Sequence, residues 1–336
     1  MSTTTLHRAL RVVTDYRLAI MLTLTLAVAA VTVEGFLKVS TLGLSLDRAS
    51  TIGLIALGLT VLLIAGQIDL SGGSIMALSG ITAMSLQPSV GLPVAVLAAL
   101  GVGALVGLVN GVLVVRFEIN SLVATLATML AVRAVAHIVT GSQPVSGSDP
   151  LAGAVVVQRV VGVLTLRTVV FLVLLALLHV WLTRTVAGRN LLAVGSNVQS
   201  ATGSGVRADA YLFGAFVFGG LCSGAAGVLL SLGVNTGSPV FGETIVVTVI
   251  AAVVVGGTRL EGGRGSALGT LGGVVTFGAI TTALEFQSVP AYTQQVVTGA
   301  ILIALIVLDR NASRRRALPP VEPAAEPERP LAGSRS

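Results

Sequence analysis

A carboxylate set inside an apolar run constrains this chain more than any other feature. Leu54 to Gly80 reads LIALGLTVLLIAGQIDLSGGSIMALSG, apolar on both sides of Gly66-Gln67-Ile68-Asp69-Leu70-Ser71-Gly72-Gly73. The flanks read as helices buried in lipid. The middle does not continue them, because Gly72 and Gly73 would each cost about 1 kcal/mol relative to Ala in a helix interior. A carboxylate at the bilayer centre costs roughly 2.5–3.5 kcal/mol on insertion scales, so Asp69 has to face protein or a water-filled cavity. Non-helical backbone at that depth obeys the same condition.

The remainder of the chain agrees with a membrane setting. It is 54% apolar and 10% charged, where a soluble domain carries about 25% charged residues. Its apolar runs approach the roughly 20 residues that cross a bilayer as a helix. The expectation is an all-α, polytopic transmembrane helical bundle of about ten spans. They fall near residues 18–37, 49–65, 74–87, 92–115, 122–139, 168–182, 210–234, 244–255, 266–285 and 292–308. Residues 18–309 then form the transmembrane domain, 1–17 a cytoplasmic N-terminal tail and 310–336 a Pro/Glu/Arg-rich, disordered cytoplasmic tail.

Ten spans put both termini on one side, and Arg310, Arg314, Arg315 and Arg316 assign that side to the cytoplasm of a multi-pass membrane protein. Arg116, Arg184, Arg189, Arg207, Arg259 and Arg264 fall on the same side, while Lys38, Arg48, Arg159 and Arg167 are exceptions. The net charge of +6 is therefore a topology signal and does not point to nucleic acid.

Catalytic chemistry is not indicated. One cysteine, Cys222, excludes an internal disulfide, and His7, His137 and His179 lack metal-ligand spacing. There is no phosphate-binding G-x-x-x-x-G-K-[ST] loop, no G-x-S-x-G elbow and no H-E-x-x-H pair. No catalytic residue, bound cofactor or metal is expected on this chain.

A shift of 190 residues lays Gly256-Gly257-Thr258-Arg259-Leu260-Glu261-Gly262-Gly263 under Gly66 to Gly73, with six identities in thirteen positions. Paired Gly-interrupted hydrophobic segments in two halves are the best sequence pointer to a transporter's path. Both breaks fall at the inner ends of their spans, so the repeats are parallel. The candidates for the translocation pathway or gate are Gln67, Asp69, Ser71, Arg133, Thr258, Arg259 and Glu261. Several have a structural alternative: Asp69 as the cap of the following helix or the partner of backbone donors, Arg259, Glu261 and Arg264 as an ion-paired mouth, Arg133 as a side chain reaching an interface. Asn110 is expected to hydrogen-bond between helices. The polar loop 183–209 is either a plain connection or a docking element, with Ser196 or Asn197 capping a short helix.

These motifs together resemble the permease subunits of bacterial ABC importers for simple sugars, the ribose/xylose/autoinducer-2 branch. The family's G-G-I-D-L-S-V-G-S is similar to Gly66 through Ser74. Its I-A-A-V-V-I-G-G-T-S-L-S-G-G-R-G-S resembles Ile250 through Ser266, its T-L…R run resembles Thr125 to Arg133, and its A-V-G-x-N-x-x-A-A-x-x-S-G-I resembles Ala193 through Val206. Gln67 stands where the family has Gly, Gly72 where it has Val, Arg259 and Glu261 where it has Ser, and Val198-Gln199-Ser200 where it has Pro-Glu-Ala.

The resemblance implies a pore made with a second permease subunit, ABC ATPase subunits that carry the ATP and Mg, and a periplasmic or lipid-anchored sugar-binding protein. It also implies a coupling helix near Asn197 to Gly205, with Gly195, Asn197, Gln199, Ala201, Gly203 and Gly205 contacting the ATPase. The alternative is an ion-coupled secondary transporter, which needs several ionisable groups near the midplane; only Asp69 and Arg133 qualify.

Overall fold

A helix that is apolar all round can only be buried, and one such helix is the central post of the fold. In the computed structural model, which describes residues 17–316, α2 (Val39–Ile64) has 89% of its most apolar 18-residue window buried. It follows α1 (Arg17–Thr32) and precedes α3 (Gly72–Val90). Next come α4 (Leu92–Gly111), prolonged by a π-helical turn (Val112–Arg116), and α5 (Ser121–Thr140). After α5 the chain forms β1 (Val145–Ser146), the short α6 (Pro150–Val157), and β2 (Arg159–Val161) paired with β3 (Leu164–Thr165). Then follow α7 (Leu166–Arg184), α8 (Val186–Ser196), α9 (Val198–Gly203), α10 (Ala208–Gly233) and β4 (Thr236–Gly237). The last elements are α11 (Ile245–Val255), α12 (Ala267–Phe286) and α13 (Ala291–Arg316).

The post α2 is surrounded by α7, α10, α11 and α12, while α3 and α4 both pack on the far side of α10 and α5 packs mainly on α3. Close approach is made possible by glycine. On the α4–α10 seam, a Cβ at Gly103 would fall on the Gly220 carbonyl oxygen, and one at Gly107 on that of Phe216. Small residues allow such backbone-to-backbone contact where lipid supplies no hydrophobic drive between helices. Cys222 is a free, buried thiol on the α10 face of this core.

Each of the ten expected segments contains a helix, the first of them only as far as Thr32. Among the described residues six helices are long and apolar enough to cross a membrane: α2, α4 with its π-turn, α5, α7, α10 and α12. Leu18–Thr32 and Ile245–Val255 are apolar but shorter. Of the expected tails at 1–17 and 310–336, residues 1–16 and 317–336 lie outside the described residues, while 310–316, expected to be disordered, continue α13 as helix.

Three features differ from expectation, each for a physical reason. α2 starts at Val39 instead of near residue 49 because its two charges are neutralised within the fold. Asp47 pairs with Arg167 at 3.1 Å and Arg48 pairs with Glu285. The polar stretch 183–209 is itself helical, folding as α8 and α9. Finally, α11 has only 11 residues, about 16 Å of helix against a hydrocarbon core of about 30 Å.

The chain reaches α11 by a re-entrant segment. β4 pairs with β1 at one end of the bundle, where Gly237 lies against the backbone of Gly80 and Ile81. Gly242 lies against Gly73, in the first turn of α3. Between those contacts the chain descends alongside about 10 Å of α3 before helix resumes.

Two ends of the bundle can therefore be told apart. The break end holds the end of α2, the start of α3, α8, α9, the end of α11 and the start of α12. The hairpin end holds the α3–α4 turn, residues 141–165 and the β1–β4 pair.

Candidate pathway and coupling site

The first break is a helix terminus followed by an irregular stretch in which Ile68 and Leu70 are held through their backbone N–H groups by α5. Gly66 has φ +75°. Its N–H donates to the Leu63 carbonyl at 2.9 Å, and the Gln67 N–H donates to the Leu62 carbonyl at 2.9 Å. That pair of bonds closes α2 in the Schellman manner, which favours glycine because the left-handed conformation penalises a Cβ. Beyond it, Ile68 N–H donates to Ser121 Oγ at 3.3 Å and Leu70 N–H to Thr125 Oγ1 at 3.1 Å. The first turns of α5 thus satisfy backbone that has no helix of its own, as irregular chain at membrane depth requires.

Asp69 is buried, 6% exposed. Its Oδ1 accepts from the Ser71 N–H at 2.7 Å and from Ser71 Oγ at 2.6 Å. Asn110 of α4 donates through Nδ2 to Ser71 Oγ at 2.9 Å, and Thr128 of α5 donates to Asn110 Oδ1 at 2.7 Å. Every bond in this line points toward the carboxylate, the arrangement that stabilises an ionised acceptor. Asp69 therefore ties the break to α4 and α5, and Asn110 makes the inter-helix bond expected of it. Gln67 is half-buried beside this network.

The second break uses the same terminus. Gly257 has φ +93°, its N–H donates to the Val254 carbonyl at 3.0 Å, and Thr258 N–H donates to the Val253 carbonyl at 3.2 Å. Gly66 thus corresponds to Gly257 and Gln67 to Thr258, one position off the shift of 190. After that the breaks diverge. Gly72 and Gly73 open α3, whereas Gly262 and Gly263 lie in a loop with φ +91° and +71°. α12 begins only after Ser266, whose hydroxyl accepts from Gly269 N–H at 3.0 Å. The six sequence identities therefore do not mark one structural register.

The expected ion-paired mouth does not form. Glu261 and Arg264 are exposed, and the ion pairs among the described residues are Arg48–Glu285 and Asp47–Arg167. Arg259 is linked through its backbone N–H to the Arg264 carbonyl at 3.0 Å. Thr258 is buried, and its hydroxyl has no hydrogen-bond partner.

The two breaks touch each other, and α8 touches both. Gly263 N–H donates to the Ile64 carbonyl at 2.9 Å. A Cβ on Gly195, near the end of α8, would fall on that same carbonyl oxygen. A Cβ on Gly262 would lie 2.6 Å from the Gly195 carbonyl oxygen and 2.9 Å from Gly66 Cα. Directly after Gly195 and Ser196, Asn197 caps α9 by accepting from Ser200 N–H at 2.8 Å. On α9, Gln199 and Gly203 are exposed while Ala201 is buried, and Gly205 turns the chain toward α10 with φ +84°.

Arg133 stands apart from this cluster. Its Nη1 donates to the carbonyls of Pro239 and Phe241, the latter at 2.7 Å, holding the re-entrant segment. That segment was missed in the sequence, although an apolar run of about twelve residues after Ser238-Pro239-Val240-Phe241-Gly242 was too short to span. Thr125 and Thr128, which support the first break, were missed as well; their spacing along α5 was the available signal.

Comparison with known proteins gives these contacts a context. Residues 41–306 match the family described as branched-chain amino acid transport system / permease component. The L-arabinose ABC transporter permease protein AraH of Azospirillum brasilense is 34% identical over 301 residues, 87% of this chain and 86% of that protein. The ribose import permease protein RbsC of Escherichia coli K12 is 31% identical over 294 residues, 85% of this chain and 90% of that protein. Its counterpart in Bacillus subtilis is 33% identical over 268 residues, 78% and 82% of the two chains. No solved structure matches.

Proposed function

Because the chain belongs to the branched-chain amino acid transport system / permease component family, we propose that it is the transmembrane subunit of an ATP-binding-cassette importer. In this reading it moves a simple sugar, pentose- or hexose-like, across the bacterial inner membrane by alternating access. The sugar class is inferred from relatives named for arabinose and ribose. ATP and Mg bind a separate ATPase subunit, and this chain performs no catalysis. The chain crosses the membrane ten times, one crossing being made by the re-entrant segment together with the short α11, with the break end and both termini in the cytoplasm. A second permease subunit, identical or different, completes the conduit, and a periplasmic or lipid-anchored binding protein delivers sugar to the hairpin end.

The observation that carries this reading is the meeting of both helix breaks with the α8–α9 turn at one end. An ATPase seated under α9 would then press on the two places where the transmembrane helices are already interrupted. Ion coupling is not favoured, since Asp69 is engaged by Ser71 and Arg133 by two carbonyls.

The test is reconstitution in liposomes. The purified chain should hydrolyse no ATP and take up no sugar. Radiolabelled arabinose or ribose should accumulate only when the ATPase, the binding protein and ATP are all present. Uptake by this chain alone under an ion gradient would overturn the proposal in favour of a secondary transporter.

A further inference from the structure

Three backbone segments meet without intervening side chains where α8 ends. Ile64 closes α2, Gly195 lies in the last turn of α8, and Gly263 lies in the second break. The Ile64 carbonyl takes the Gly263 N–H at 2.9 Å, while Gly195 leaves no room for a Cβ against that oxygen. A Cβ on Gly263 would itself sit 2.9 Å from Ser196 Cα. Side chains between elements can rotate and absorb a displacement. Direct backbone contact has no such slack, because a close-packed interior transmits strain.

The link from this point to α9 is equally stiff. Asn197 N–H donates to the Ala193 carbonyl at 3.0 Å, and the Asn197 carbonyl accepts from Ala201 N–H at 3.0 Å. One residue therefore ends α8 and starts α9, with its side chain capping α9 as well. No glycine or unpaired stretch separates α9 from Gly195. Of the two partners of the contact, Ile64 ends α2 directly before the first break and Gly263 lies within the second break, shortly before α12.

We infer that Ile64, Gly195 and Gly263 form a backbone clasp that carries movement of α9 into both helix breaks at once, with Gly195 and Gly263 as positioning residues. The inference rests on the importer reading, since it supplies the route by which an ATPase beneath α9 drives the membrane helices. Gly195 was expected to contact the ATPase; the clasp gives it an internal task instead.

The experiment uses the complete importer, with its ATPase and binding protein, in liposomes. Its readout is sugar taken up per ATP hydrolysed. Gly195→Ala should lower that ratio about tenfold, within the 5–150-fold range of allosteric coupling, while the complex still assembles and hydrolyses ATP. Gly214→Ala, whose Cβ would meet nothing within 4 Å, should keep the wild-type ratio. A wild-type ratio in Gly195→Ala overturns the clasp.

Hydrogen exchange on the wild-type complex tests the same claim without a variant that has to fold. On adding a non-hydrolysable ATP analogue, peptides spanning 60–66, 192–197 and 259–266 should change protection in step. A response at 192–197 without the other two overturns the clasp. If the wild-type complex shows no ATP-dependent uptake, the importer reading falls, and the clasp's role as a link to an ATPase falls with it.

Discussion

Asp69 turns its carboxylate back onto its own chain, so it acts first as a knot in the break. Replacing it with Ala strips the acceptor from the Ser71 N–H and hydroxyl in a buried site, and unsatisfied buried groups cost about 1–3 kcal/mol each. Asp69→Ala should therefore melt at a lower temperature than wild type in detergent. Asp69→Asn keeps an acceptor and should lose clearly less. Equal melting of Asp69→Ala and wild type would remove the knot. Normal melting of Asp69→Asn with reduced uptake would add a role for the charge at the gate. The sequence made the presence of this residue in a break legible, because a carboxylate interrupting an apolar run is conspicuous. Its partners were not legible: Asn110 and Thr128 come from α4 and α5, and only the packing of those helices brings their amide and hydroxyl to Ser71.

At the scale of elements, the least expected piece is the descent of residues 238–244 beside α3. Its carbonyls at Pro239 and Phe241 have no strand or helix partner and depend on the Arg133 guanidinium. Hydrogen bonds to a charged group contribute about 1.5–3 kcal/mol, so Arg133→Leu should raise the population of the displaced segment roughly tenfold or more. Ser238 is buried. In a Cys222→Ser background, Ser238→Cys should react with maleimide correspondingly faster once Arg133 is Leu, and an unchanged rate would show that other contacts hold the segment. Element existence was legible because apolar runs recur at spanning length. Element limits were less so, since Asp47 and Arg48 read as loop charges until Arg167 and Glu285 are brought beside them. The short helix α9 was legible from Ser196 or Asn197 as its cap, and the structure gives the cap to Asn197. The burial of Ala201 was not, and a glutamate placed there would disturb the seat of α9 itself. Gln199, exposed on α9, is the better position for probing an ATPase contact.

For the whole molecule, the proposed orientation rests on the distribution of basic residues. Arg116, Arg184, Arg189, Arg207, Arg259 and Arg264 lie in or beside the elements of the break end. Lys38, Arg48, Arg159 and Arg167 lie toward the hairpin end, but Arg48 and Arg167 are neutralised by Glu285 and Asp47. Two of the four exceptions to the positive-inside bias thus carry little weight, because each is cancelled within the protein before it can act as a loop charge. What remains points the break end to the cytoplasm more strongly than the raw sequence count did. The expected outcome is set by two single cysteines in a Cys222→Ser background: Gln143→Cys at the hairpin end and Gln199→Cys on α9, both at exposed positions. In intact cells whose outer membrane has been opened, an impermeant maleimide should label Gln143→Cys and leave Gln199→Cys unmodified until the inner membrane is permeabilised. The reverse pattern would turn the molecule over. It would set α9 and both breaks on the side where no ATP is available, and an ATPase could then not act through them.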